Sequence, residues 1–145
     1  MRALVDSDVL VAMIDGTEAQ SQASKAVLDH AVNGRIEAVV TPLIAANVMY
    51  ALKRKWRTAR PKTWRKDIDR MMTAMLPTLR MIPVDERDFL GSFASDFLDK
   101  EDGIQYFAAV RSKSVDIIIS CNVKDYAFGD IPVMEPAEFL DKHLP

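Results

Sequence analysis

The run Ala3-Leu4-Val5, followed at once by Asp6, Ser7 and Asp8, constrains this chain more than any other stretch. Consecutive apolar residues bounded by polar ones read as a strand buried on both faces, and such strands belong to parallel sheets covered by helices. The strand ends in a carboxylate, a hydroxyl and a second carboxylate, and Val9-Leu10 then open a helix. In an open α/β sheet, ligands bind outside the carboxyl ends of the strands. A charge placed there is costly unless it has a partner. Asp6 has Asp8 beside it and no cation nearby in sequence, so a divalent metal ion is its simplest partner.

The remaining pattern repeats this alternation. Residues 2–6 read as a strand and 8–14 as a short helix capped by Ser7 or Asp8. Residues 19–33 suit a helix stopped by Asn33-Gly34. Residues 36–40 form a second strand, and Thr41-Pro42 is an N-cap followed by proline in the first turn of a helix running to about residue 57. After a break at Arg60-Pro61, residues 63–76 resume a helix. Residues 81–84 are a third strand, and 85–97 a helix interrupted near Gly91. Asp99 to Asp102 cap a helix over about 101–113; Ile117-Ile118-Ile119 is the clearest buried strand. Residues 131–134 are a last strand whose Pro132 suggests an edge, and Pro136 begins a terminal helix. Strands alternating with helices argue a parallel α/β sheet covered on both faces.

Length and composition set the limits. At 145 residues the chain is read as one domain, 1–145, with room for a real core. No apolar run approaches the roughly 20 residues of a membrane span, and the first residues lack the pattern of a secretory signal. The single cysteine, Cys121, excludes an internal disulfide framework and points to a reducing, cytoplasmic setting. With only His30 and His143, zinc sites of the Cys/His kind have almost no ligands. The net charge of −2 conceals a division: residues 53–70 carry nine basic and two acidic side chains, while the rest of the chain carries a net −9. One face therefore suits an anionic partner and another a cation.

Besides Asp6, four places offer polar groups to the same sheet edge. Asn47 lies within the apolar stripe formed by Leu43, Ile44, Val48 and Ala51. Asp102 begins a helix. Asn122 and Asp125 follow the Ile117-Ile118-Ile119 strand. Each has an ordinary structural use: Asp102 pairing with Asp99 in a capping-box-like arrangement, Asp8 as an N-cap, Asn47 bonding a neighbouring loop, Asn122 and Asp125 as turn residues.

The order of these motifs resembles the PIN-domain family, and within it the small VapC-like toxins of toxin–antitoxin pairs. The residues that carry the resemblance are Val5-Asp6-Ser7-Asp8-Val9-Leu10, where Asp8 replaces the usual Asn; Thr41 to Val48, where Asn47 stands in place of a usual glutamate; Glu101-Asp102-Gly103-Ile104-Gln105, with Asp102 on the third acid; Ile118 to Tyr126, commonly Thr-Arg-Asn-x-x-Asp-Phe toward its end in one subgroup; and Val133 to Leu140. The resemblance spans essentially the whole chain. It implies a three-layer α/β/α fold with a central, mainly parallel sheet, and hydrolysis of RNA phosphodiesters dependent on Mg²⁺ or Mn²⁺. Asp6 and Asp102 would be metal ligands, with Asp125, or Asn122 through a water, completing the far wall. Ser7 would orient a ligand or water. It also implies a cognate antitoxin partner and a homodimer.

Asn47 is the main departure. An Asn oxygen accepts a hydrogen bond but carries no charge, and fewer carboxylates mean weaker cation binding. Asp8 restores one carboxylate, and Glu101 or Asp99 adds another if the helix start is turned suitably. A catalytically weakened RNA- or protein-binding module is thus the second reading. A remote third is a haloacid-dehalogenase-like phosphatase, which Asp6-Ser7-Asp8 mimics and Val9-Leu10 argue against. The basic segment supplies RNA-binding candidates Lys53, Arg54, Lys55, Arg57, Arg60, Lys62 and Arg65, interleaved with Trp56 and Trp64. Such a segment binds phosphates and stacks bases, or is a solvated helical face with its tryptophans packed inward. In VapC-like toxins these helices also tend to form the groove that receives the antitoxin.

Overall fold

The computed structural model describes residues 1–15 and 19–144. Five strands form one sheet: β1 (Arg2–Val5), β2 (Glu37–Val40), β3 (Arg80–Met81), β4 (Ile117–Ile119) and β5 (Val133–Met134). Their order is β3-β2-β1-β4-β5, and every neighbouring pair is parallel. β1 is central, with Leu4 opposite Val39 on one side and Ile118 on the other. Ala3, Leu4 and Val5 are fully buried, which is why this run carries no alternation. The chain crosses over at β1, so the groove between the carboxyl ends of β1 and β4 lies at the switch point of the sheet.

The helices are α1 (Ser7–Asp15), α2 (Ala19–Val32), α3 (Pro42–Ala59), α4 (Trp64–Met75), α5 (Glu86–Phe93), α6 (Lys100–Ser112) and α7 (Pro136–His143). Together they complete a three-layer α/β/α arrangement. Thr41 caps α3 by accepting the Ile44 N–H at 3.0 Å, with Pro42 in the first turn. Asp99 caps α6 by accepting from Glu101 N and Asp102 N. Among the described residues no helix is long and apolar enough to cross a membrane.

Four local expectations differ from the structure. The cap of α1 is neither Ser7 nor Asp8 but Asp6, whose carbonyl accepts the Leu10 N–H and whose side chain accepts the Ser7 N–H. The third strand ends at Met81, because only the Ile82 N–H continues the ladder and Pro83 has none to give. α5 is not interrupted at Gly91: a Cβ there would stand 3.1 Å from the Phe107 ring, so the glycine lets α5 approach α6. α5 ends at Phe93 rather than at residue 97.

α5 is anchored to α6 by a polar knot. Asp85 and Asp88 make a reciprocal capping box, and Asp88, 1 % exposed, receives both Arg111 Nε at 2.9 Å and Nη2 at 2.7 Å. Arg111 also donates to the Pro83 carbonyl. The segment after α5 is held by Phe97, whose ring meets Tyr106 at 5.1 Å and Tyr126 at 6.3 Å between centroids. This packing fixes the approach to Asp99 and the start of α6.

Candidate metal centre

The register that places Val5 opposite Ile119 puts the next residues of each strand, Asp6 and Ser120, side by side at the carboxyl edge of the sheet. The Asp6 backbone N–H continues the ladder to the Ile119 carbonyl at 3.0 Å. The Asp6 carboxylate is buried and accepts hydrogen bonds on both oxygens. Its Oδ1 accepts the Ser7 N–H at 2.6 Å and lies 3.5 Å from Ser7 Oγ; its Oδ2 accepts Ser120 Oγ at 3.1 Å and the Tyr126 hydroxyl at 2.9 Å. Burial raises its pKa, and the Tyr126 hydrogen bond is the largest opposing influence.

Asp8 turns to the backbone after β4. It accepts the Cys121 N–H at 3.1 Å and Ser120 Oγ at 3.3 Å. Burial, and then the neighbouring Asp6 charge, push its pKa up to about 6.

Asp102, in the first turn of α6, faces the same space, with its Oδ1 3.5 Å from the Tyr126 hydroxyl. Burial first, then the charges of Asp6, Asp99, Asp125 and Asp8, push its pKa up to about 8. The 3-10 turn Val123–Tyr126 brings Asp125 alongside. One carboxylate oxygen from each of Asp99, Asp102 and Asp125 lies within 4.8 Å of the other two. Asp99 thus serves both as the cap of α6 and as a member of this acidic group.

Asn47 does not bond a loop. It is half-buried on α3, and its Nδ2 donates to Glu101 Oε2 at 3.0 Å. Asn122 is exposed; its N–H donates to Ser120 Oγ and its carbonyl accepts from Asp125 N, so its backbone shapes the turn. The side chains of Lys53, Arg54, Lys55, Arg57, Arg60, Lys62 and Arg65 are all on exposed positions of α3, α4 and the bend between them. The two tryptophans divide. Trp56 is 6 % exposed and packs inward under Arg60, whose guanidinium lies 4.3 Å from its ring centroid. Trp64 is half-buried and, with Tyr50, Lys53 and Arg65, lines an α3–α4 cavity of about 430 Å³.

Tyr126 and Ser120 escaped the sequence reading. Ser120 was within reach of it: two buried strands in register end on Asp6 and Ser120. Tyr126 carried no such signal, because its part depends on the turn that folds it back beneath Asp6.

The donor set fits a hard divalent cation. It consists of carboxylate oxygens at a sheet edge, and the nearby Cys121 thiol is pushed up to about 12, first by burial and then by the Asp8 and Asp6 charges, so it stays protonated. The group of Asp99, Asp102 and Asp125 can coordinate a metal ion.

A family model described as the PIN domain matches residues 2–124. The chain belongs to the PIN-domain family. Its fold is shared with VapBC2 from Rickettsia felis bound to a DNA fragment from their promoter, at 10% identity and a TM-score of 0.69 over 93% of this chain and 98% of that one. It is shared with a toxin–antitoxin complex from Klebsiella pneumoniae, at 21% identity and a TM-score of 0.64 over 92% and 97%. PAE2754 from Pyrobaculum aerophilum is similar at 17% identity and a TM-score of 0.69, over 98% and 88%. No curated protein sequence matches the chain. The family match leaves the phosphatase reading without support.

Proposed function

We propose that this protein is a Mg²⁺- or Mn²⁺-dependent endoribonuclease and the toxin of a toxin–antitoxin pair. The observation that carries the reading is the convergence of Asp99, Asp102 and Asp125 beside buried Asp6 at the carboxyl edge of the sheet. A bound divalent cation supplies an acidified water and neutralises charge on a phosphodiester. Asp102, Asp125 and Asp99 would hold it, with Asp6 and Asp8 deepening the negative field behind them. Ser7 and Ser120 keep the Asp6 carboxylate in one orientation. Asp102 is the group whose proton must leave before it can act as a ligand, since it is held protonated near neutral pH.

The exposed cations from Lys53 to Arg65 supply phosphate contacts, and Tyr50 and Trp64 supply faces on which an unpaired base stacks. The shared fold with chains of toxin–antitoxin complexes supports an antitoxin as protein partner, and a homodimer is the assembly proposed with it. Cleavage of single-stranded RNA by the purified protein in Mn²⁺, abolished by chelator and by Asp102→Asn, tests this reading. Cleavage that persists in either control overturns it.

A second reading has one observation behind it. The Asn47 amide occupies a place that faces Glu101 and brings no charge of its own. A PIN-fold module that binds RNA without cutting it would show tight, salt-sensitive RNA binding with no Mn²⁺-dependent product.

A further inference from the structure

The opposite edge of the sheet carries a second polar cavity. It has a volume of about 720 Å³ and opens at the amino ends of β1, β2 and β3, at the far end of β1 from Asp6. That size suits a small-molecule ligand. Three arginines line it, each from the start of a different strand: Arg2 begins β1, Arg35 precedes β2 and Arg80 begins β3. The strand register explains their meeting. Arg2 stands opposite Glu37, and Arg80, opposite Val39, reaches back to the same carboxylate. Arg2 Nε donates to Glu37 Oε2 at 2.7 Å, and Arg80 Nη1 donates to Oε1 at 3.1 Å. Gly34, at φ +71°, turns the chain from α2 into β2 and sets Arg35 on the rim.

These contacts leave most of the donors unspent. Among the described residues Glu37 takes one N–H group from each of Arg2 and Arg80, and the Arg35 side chain makes no hydrogen bond or ion pair. Asp116, the other acid of the lining, accepts the Arg2 backbone N–H at 2.7 Å rather than a guanidinium. Three guanidinium groups therefore face two carboxylates, an excess of one positive charge. A guanidinium presents its N–H donors in a fixed fork that matches an oxyanion. Ile36 and Ala38, both buried, and half-buried Leu79 give the same cavity an apolar wall.

We infer that this cavity binds a small organic phosphate monoester, its phosphate held by Arg35 with the unspent N–H groups of Arg2 and Arg80, and its body lying on Ile36, Ala38 and Leu79. A phosphate monoester offers three acceptor oxygens to donors that arrive from three strands, where a carboxylate offers two. The site lies across the sheet from the acidic centre, so it stands or falls independently of the metal-dependent reading.

Isothermal calorimetry on the full-length protein in chelator tests it, with adenosine 5′-monophosphate as the probe and inorganic phosphate and adenosine as its two halves. The monophosphate is expected to bind more tightly than either half. Arg35→Ala, which breaks no contact within the described structure, is expected to weaken its binding about tenfold, the equivalent of one charge-assisted hydrogen bond. Arg80→Gln is expected to weaken it as well, and Arg65→Ala, in the α3–α4 cavity, to leave it unchanged. The proposal is overturned if millimolar monophosphate does not bind, if either half binds as tightly as the whole, or if Arg35→Ala binds like the wild type. Loss of binding in Arg65→Ala would place the anion between α3 and α4 and overturn it too.

Discussion

The Asn47 amide donates to the Glu101 carboxylate at 3.0 Å, joining α3 to the first turn of α6 across the mouth of the acidic site. The resemblance that places a glutamate at position 47 would set two carboxylates against each other here. This chain has an uncharged donor instead, and Glu101 is the acid that faces it. Asn47→Glu is therefore expected to destabilise the metal-free protein by about 1 kcal/mol, through like-charge repulsion and the lost hydrogen bond. It should also raise Mn²⁺ affinity, since charge count governs cation binding. Urea unfolding with and without Mn²⁺ checks both signs. A variant as stable as the wild type in chelator removes Glu101 from the account.

Burial, and then the charges of four neighbouring carboxylates, Asp6, Asp99, Asp125 and Asp8, raise the pKa of Asp102 to about 8. Asp102→Asn is expected to melt at a higher temperature than the wild type in chelator, and to lose the stabilisation that Mn²⁺ gives. Differential scanning calorimetry in both conditions reads this reversal. A variant that is less stable in chelator contradicts the electrostatic reading of the cluster.

Metal-stripped protein should lose stability as pH rises. An ordinary aspartate has a pKa of 3.8, whereas Asp102 stands near 8, Asp8 near 6, and Asp6 is raised. Over the interval between, the folded state holds protons that the unfolded chain has released, so folding is favoured at the acidic end and that advantage is lost as pH climbs through 8. Asp85, held down near 2 by Arg87, titrates below this window. The melting temperature in chelator is expected to fall from pH 5 to pH 8, and the rise produced by Mn²⁺ to be larger at pH 8. A flat or rising profile in chelator contradicts the assignment.

Arg111 is the cation paired with buried Asp88, through Nε at 2.9 Å and Nη2 at 2.7 Å. Removing one partner of such a pair leaves a buried charge without compensation, so Arg111→Ala is expected to cost about 3 kcal/mol in urea unfolding. The damage should extend to the site, since α5 and the Phe97 segment position the start of α6. Loss of under 1 kcal/mol would mean that Asp88 finds water or a second partner.

The central strands and the starts of α3 and α6 were legible because their causes are local. Thr41-Pro42 and Asp99 act on backbone groups within three residues, and Ala3-Leu4-Val5 and Ile117-Ile118-Ile119 need no partner to be recognised as buried runs. Gly91 misled because a glycine in a helical pattern reads as a break, while here it makes room for Phe107 from another helix. Asp6, Asp102 and Asp125 stand out in the sequence by their places after strands and at a helix start, and the structure brings Asp102 and Asp125 together with Asp99. What bridges and faces them does not stand out. Tyr126 is 120 residues from Asp6, and Asn47 is 54 from Glu101; such contacts come from the packing of helices on the sheet, which no single window of sequence records.

Anomalous diffraction from crystals equilibrated with Mn²⁺ tests the central claim most directly, that this sheet edge is a divalent-cation site. A peak bounded by Asp102 and Asp125, beside Asp99, is the predicted result. At saturating Mn²⁺, the absence of a peak at Asp102 would contradict it.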